Sequence, residues 1–166
     1  CLRMVFNQSD GIAWMTQYLD AKDFLAVVRN TPLVSIDLIV TDADGRVLVG
    51  HRKNAPAKDF WFVPGGRIYK NETLDSAFSR ISQSELGCAY QRKNAHFLGN
   101  YDHIYDDNFA ENEDFGTHYV VIAYQILVNK ADLQLPDIQH GSYIWISPSE
   151  LIARPDVHLN TKAYFL

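Results

Sequence analysis

The stretch WFVPGGRIYKNETLDSAFSRISQSELG, from Trp61 to Gly87, reads as a strand, a glycine turn, a basic loop and a helix. Trp61 to Val63 is aromatic and β-branched, as a short strand requires, and Pro64-Gly65-Gly66 closes it with a turn whose backbone can approach a ligand closely. Arg67 and Lys70 make the following loop basic. A helix is predicted from about Thr73 to Leu86, with Gly87 just past its end. At about 100° per residue, Leu74, Ala77, Phe78 and Ile81 form one apolar stripe, and Glu85 falls in the middle of it. A carboxylate aimed at a core is costly unless it meets a metal or a cation. The alternative is that Glu85, close to the helix end, bends out to water, and the pattern leaves both readings open.

Upstream, LVSIDLIV (Leu33 to Val40) is rich in β-branched residues and is followed by the turn TDADG and by RVLVGHR, the pattern of a hairpin. Asp37 alternates with Ile36 and Leu38, so it points to the sheet face opposite theirs; that face is either solvated or holds a hydrogen-bonded carboxylate. Before the hairpin, a helix is predicted from Ala21 to Arg29 with Asp20 as N-cap and Pro32 barring continuation, and Trp14, Met15, Tyr18 and Leu19 stand at helical spacing in an N-terminal appendage. Downstream, strands are predicted at His96 to Tyr105, Tyr119 to Val128 and Tyr143 to Ile146. Ser147-Pro148-Ser149-Glu150 is a capping box that opens a late helix. Strands and helices mix without regular alternation, which predicts a mixed-sheet α/β or α+β fold.

The chain has 166 residues, enough for one domain with its own core. Its net charge of −5 repels polyanions, which argues against nucleic acid as a partner. No apolar run is long enough to span a bilayer, and Asp10 interrupts what a signal peptide would need, so the expectation is a cytoplasmic protein without membrane association. Cys1 and Cys88 lie far apart and near no Cys or His at metal-ligand spacing, so neither a disulfide framework nor a zinc site is expected.

Gly66, Glu72, Arg80, Glu85, Gly87 and Cys88 stand at the intervals of the Nudix box, and the segment resembles that motif closely. Three positions depart from it: Ile81 replaces the Glu after the Arg, Ser82 the next apolar residue, and Ser84 the first Glu of the Glu-Glu pair. Two carboxylates that gather metal ions in the family are therefore missing. From Asp23 to Leu166, through TPLVSIDLIV, WFVPGGR, HIYDDNF, THYVV, PDIQH and AYFL, the chain is similar to the GDP-mannose mannosyl hydrolases, the Nudix subgroup lacking these same glutamates. The resemblance implies the Nudix fold, a mixed β-sheet sandwiched between helices, as one domain over residues 21–166, with residues 1–20 outside it. It also implies a homodimer and a reaction in which water attacks the anomeric carbon of a GDP-sugar with inversion, releasing GDP. Attack on phosphorus, giving GMP and a sugar 1-phosphate, and an inactive nucleotide-sugar-binding domain are the competing readings.

A departing diphosphate carries charge that a metal ion must stabilise, and Mg²⁺ suits oxygen ligands completed by phosphate and water. By resemblance the protein ligands are the Gly65 carbonyl, Glu85 and Gln139. GDP leaves without needing a proton, so the chemistry asks for a base rather than an acid, and the family's loop PDIQH singles out His140 for that role. Arg52 and Arg67 could neutralise phosphate charge by bidentate contacts, or be ordinary solvated arginines. Asp37, Tyr119 and His103 are placed in the active site by the resemblance; Tyr119 could equally be a sheet aromatic packed in the core. Glu72 stands at a helix start, where the dipole alone favours it, and is not assigned to the site.

Overall fold

A computed structural model describes residues 19–110, 114–136 and 140–166. The predicted helical spacing from Trp14 to Tyr18 lies outside the described residues. Helix α1 (Ala21–Asn30) leads into strand β1 (Leu33–Thr41), and the tight turn after it returns the chain as β2 (Val47–Arg52). Strands β3 (Trp61–Phe62) and β4 (Gly65–Arg67) precede helix α2 (Leu74–Leu86), and β5 (His96–Tyr105) and β6 (Thr117–Leu127) follow it. Strand β7 (His140–Ile146) and the short helices α3 (Pro148–Ala153) and α4 (Leu159–Lys162) complete the described elements, with a last 3₁₀ turn over Ala163–Phe165.

The seven strands form one mixed sheet in which β1 is the hub. It runs parallel to β6 from Leu33↔Tyr119 to Thr41↔Leu127 and antiparallel to β4 over Ser35–Asp37, while β2 bridges to β3 and β7. Both faces of β1 are covered, and eight of its nine residues are buried. Ile36, Leu38 and Val40 pack with Ala77, Phe78, Ile81 and Leu86 of α2, whereas Ile39 packs on the other face with Val49, Phe62, Ile146 and Leu151 of α3. The sheet therefore lies between helices, as the fold class requires. Among the described residues no helix is long and apolar enough to cross a membrane.

The helix ends follow the local signals. Asp20 accepts a hydrogen bond from the Asp23 N–H, Thr73 accepts one from the Ser76 N–H, and Ser147 and Glu150 form the reciprocal capping box. Helix α3 is brief because Pro155 disfavours helical backbone at Arg154. Two expectations need correction. Gly65-Gly66 is no mere turn: with Arg67 it is a strand, and the absence of a side chain at Gly65 lets β4 lie against β1 where the Asp37 carboxylate already fills the space. Leu74, assigned to the apolar stripe, is 38% exposed; the buried face of α2 starts at Ala77.

Gly87 ends α2 in the left-handed region, with φ 72° and its N–H donating to Gln83 O. A β-carbon there would press on the backbone of Gln134. Gly87→Ala is expected to lose at least about 1–2 kcal/mol from the left-handed conformation alone, read as a lower urea midpoint. An unchanged midpoint would show that the helix end tolerates an ordinary residue.

Candidate active site

A cleft opens where β4 and the first turns of the chain after it meet β1, α2 and the β5–β6 pair. Asp37, Arg52, Gly65, Arg67, Glu85, His103 and Tyr119 all line it, beside Phe62, Tyr69, Arg80, Ser84 and Tyr105. Gln139 lies outside the described residues, and His140 is described only by its backbone, which opens β7 opposite Arg52 in the β2–β7 ladder.

The cleft is built from the same segment that sets the fold. Arg80 Nε donates to Glu72 Oε1 at 2.6 Å and its Nη2 donates to Glu72 Oε2 at 2.8 Å, while a further Nη2 contact reaches Arg67 O at 2.8 Å. Glu72 Oε2 also accepts from the Tyr69 N–H at 3.0 Å, and the Arg80 guanidinium lies 4.0 Å from the centre of the Tyr69 ring. Glu72 is thus a clamp for the loop between β4 and α2, more than a dipole partner. One turn further along α2, Glu85 is only 3% exposed and faces the cleft, so the reading in which it bends out to water is overturned. Ile81 stands where the family motif has a carboxylate; it is buried, and a β-carbon on Gly66 would lie 3.2 Å from its Cγ1. The cleft floor is therefore apolar at that point.

Asp37 is buried as well, and the solvated-face alternative for it fails. Its Oδ2 accepts a hydrogen bond from the Tyr164 hydroxyl at 2.7 Å. Burial pushes its pKa up to about 6; the Tyr164 bond and the Arg52 charge pull it down, and the Glu85 charge pushes it up. His103, also buried, is held down at about 4 by burial and by the neighbouring His158 charge, so it is neutral near pH 7. Burial raises the pKa of Tyr119 and Tyr105, which keeps their hydroxyls protonated. Tyr119 packs against the core and lines the cleft at once.

Both arginines are held by aromatic rings and are not loose surface groups. Arg67 lies 3.9 Å from the centre of the Phe24 ring on α1, and Arg52 lies 5.4 Å from that of Phe62. Stacking of this kind fixes the guanidinium plane and leaves its edge for bidentate contacts with phosphate. Among the described residues no three His, Cys, Asp or Glu side chains gather as a metal cluster. The donors facing the cleft, the Glu85 and Asp37 carboxylates and the Gly65 peptide, are all oxygen chemistry, which fits a hard divalent cation held by few protein ligands.

Tyr164, Phe62, Tyr69 and Tyr105 carry no functional signal in the sequence. No periodicity marks them. The only trace of Tyr164 is its place in the closing AYFL, where a short 3₁₀ turn carries it back to β1.

The chain matches the NUDIX domain family over residues 31–166. It is 41% identical over 135 residues to the low-salt glycan biosynthesis protein Agl8 of Haloferax volcanii, covering 81% of either chain. Its structure resembles the MutT NUDIX hydrolase of Burkholderia pseudomallei with a TM-score of 0.66 and 26% identity, over 82% of this chain and 97% of that one. The NUDIX domain of Shewanella oneidensis NrtR, solved with ADP ribose, shares the fold at 18% identity with a TM-score of 0.58, over 88% and 96% of the two chains.

The shifts at Asp37 and His103 have opposite consequences for stability. Between about pH 4 and 6 the folded state holds a proton on Asp37 that the unfolded chain has lost, so stability falls as pH rises. Between about pH 4 and 6.5 the unfolded chain holds a proton on His103 that the folded state lacks, so stability rises with pH. Each contribution is of the order of 3 kcal/mol, and in the intact protein they oppose each other. Relative to the intact protein, the urea midpoint of Asp37→Asn should therefore climb more steeply from pH 4 to 6, and that of His103→Asn less steeply. Parallel profiles for the two variants would contradict the assignment.

Proposed function

The chain belongs to the Nudix family, and we propose that within it this protein hydrolyses a GDP-sugar, GDP-mannose or a close relative, to GDP and free sugar. Water attacks the anomeric carbon with inversion; the bond from that carbon to the diphosphate oxygen breaks, and its electron pair leaves with GDP. The observation that carries this reading is the apolar floor at Ile81 beside a retained, buried Glu85: one helix carboxylate remains where attack on phosphorus in the family motif uses several. The relative named for glycan biosynthesis supports a sugar-bearing substrate.

Glu85, the Gly65 carbonyl and Gln139 would hold Mg²⁺, which supplies positive charge to the departing diphosphate. Arg52 and Arg67 present guanidinium edges to the phosphates, and the Tyr119 hydroxyl donates a proton to a phosphate oxygen without losing it. Asp37 and His103, at the buried end, face the sugar. His140, on the strand partnered by Arg52, takes the proton from the attacking water. Inversion needs only this one base, because the diphosphate departs unprotonated.

Incubation with GDP-mannose and Mg²⁺ in ¹⁸O-labelled water is expected to give GDP and labelled mannose. GMP with mannose 1-phosphate, labelled on phosphate, would mean attack at phosphorus, and no product from any GDP-sugar would mean a binding domain. His140→Gln should lower kcat by about 10² to 10⁴ with substrate still bound, and full turnover in that variant would remove His140 as the base. Glu85→Gln should raise the Mg²⁺ concentration needed for half-maximal rate, since an amide is a poorer ligand for a hard cation; an unaltered Mg²⁺ requirement would make Glu85 structural.

A further inference from the structure

Tyr164 does not line the cleft, yet it is the residue on which two buried site groups meet. Its hydroxyl lies 2.7 Å from Asp37 Oδ2 and 3.1 Å from His103 Nε2. Its ring packs edge-on against Tyr101 with centroids 4.7 Å apart, and the 3₁₀ turn that carries it follows directly on α4. The other carboxylate oxygen of Asp37, Oδ1, is the atom nearest to where a side chain on Gly65 would stand.

We propose that Tyr164 is a positioning residue for this site: its hydroxyl joins His103 to Asp37 in a hydrogen-bond chain of fixed polarity and turns Asp37 Oδ1 toward Gly65. An ionised carboxylate only accepts, so the Tyr164 O–H is spent on Asp37 Oδ2. The phenolic oxygen is then left as an acceptor, and the bond to His103 requires Nε2 to carry the hydrogen. Burial keeps His103 neutral, so one ring nitrogen is protonated and one is bare. The chain thus runs from His103 Nε2–H to Tyr164 O–H to Asp37 Oδ2, and it selects the tautomer in which Nδ1 is bare. A group held at both ends in this way loses little orientation when the cleft fills, which is what a reacting sugar needs from the wall it lies against.

The proposal deepens the GDP-sugar reading and rests on it only for the choice of substrate. Its test has a spectroscopic and a kinetic arm. In ¹⁵N-labelled wild-type protein near pH 8, His103 Nε2 is expected at the shift of a protonated ring nitrogen and Nδ1 at that of a bare one, with both moving in Tyr164→Phe, which keeps the ring packed on Tyr101. A bare Nε2 in the wild type overturns the chain, whether or not the variant folds. In the kinetic arm, Tyr164→Phe should lower kcat about 10- to 100-fold with KM nearly unchanged, the loss of one hydrogen bond to a charged group. In an Asp37→Asn background the same change should cost less than about threefold, because the two act as one unit. Equal losses in the two backgrounds would make Tyr164 a packing residue and overturn the proposal. Wild-type products other than GDP and a free sugar would instead overturn the proposed reaction; the cycle then runs on the nucleoside diphosphate compound that is turned over, and if none is, the spectrum alone decides on Tyr164.

Discussion

The forked ion pair between Glu72 and Arg80 holds the site together. It ties the loop after β4 to the middle of α2, and through the bond from Arg80 to the Arg67 carbonyl it also fixes the end of β4 itself. Geometry of this bidentate kind is worth more than an ordinary surface pair, because Glu72 is nearly enclosed and a third donor, the Tyr69 N–H, shares its carboxylate. With β4 tied to α2 at one end and paired to β1 along its length, Gly65 is held opposite Asp37. The elements β1, β4 and α2 thus keep their polar groups together around one cleft.

That arrangement costs stability, and the structure shows where. Asp37 and Glu85 are carboxylates taken out of water, and the Glu85 charge disfavours ionisation of Asp37. Arg52 and Tyr164 offset part of that cost at Asp37, one by charge and one by a hydrogen bond. Aromatic rings take up the rest of the wall: Phe62, Tyr69 and Phe24 support the guanidinium groups without neutralising them. The result is a pocket whose wall carries charged, neutral polar and aromatic groups side by side.

Much of this architecture was legible in the amino-acid sequence, for identifiable reasons. Helix α2 announces itself by Thr73, its apolar stripe and Gly87, all within one turn of the observed ends, and β5 is bounded as its composition predicts. Glu85 was conspicuous because a charge on an apolar stripe violates a local rule. Asp37 was conspicuous for the same reason on a strand, although the alternation alone could not tell a buried face from a solvated one. His103 and Tyr119 carry no such contradiction, and it is the family resemblance that places them in the site; Arg52 reads from its charge alone as either a phosphate contact or an ordinary solvated arginine. What local pattern could not encode is contact across the chain. Tyr164 meets Asp37 from 127 positions away, and nothing near either residue signals the other. The strand at Gly65–Arg67 was hidden because three residues, two of them glycine, are too few to show alternation; its pairing is decided by the partner strand.

The parallel alignment of β1 with β6 bears on how the molecule is made. Thr41 hydrogen-bonds to the Ile126 carbonyl across 85 residues, and the whole length of β1 waits on that partner. Until β6 has emerged from the ribosome, the hub strand can satisfy its backbone only through brief pairings with β2 and β4, and its apolar faces have half their cover. Loop closure over such a span must precede the reward of long-range pairing, which places this topology among the slower folders for its size. The same wait leaves an edge rich in Val, Ile and Leu open to other chains, so productive synthesis favours conditions in which nascent β1 is shielded until the chain can close on itself.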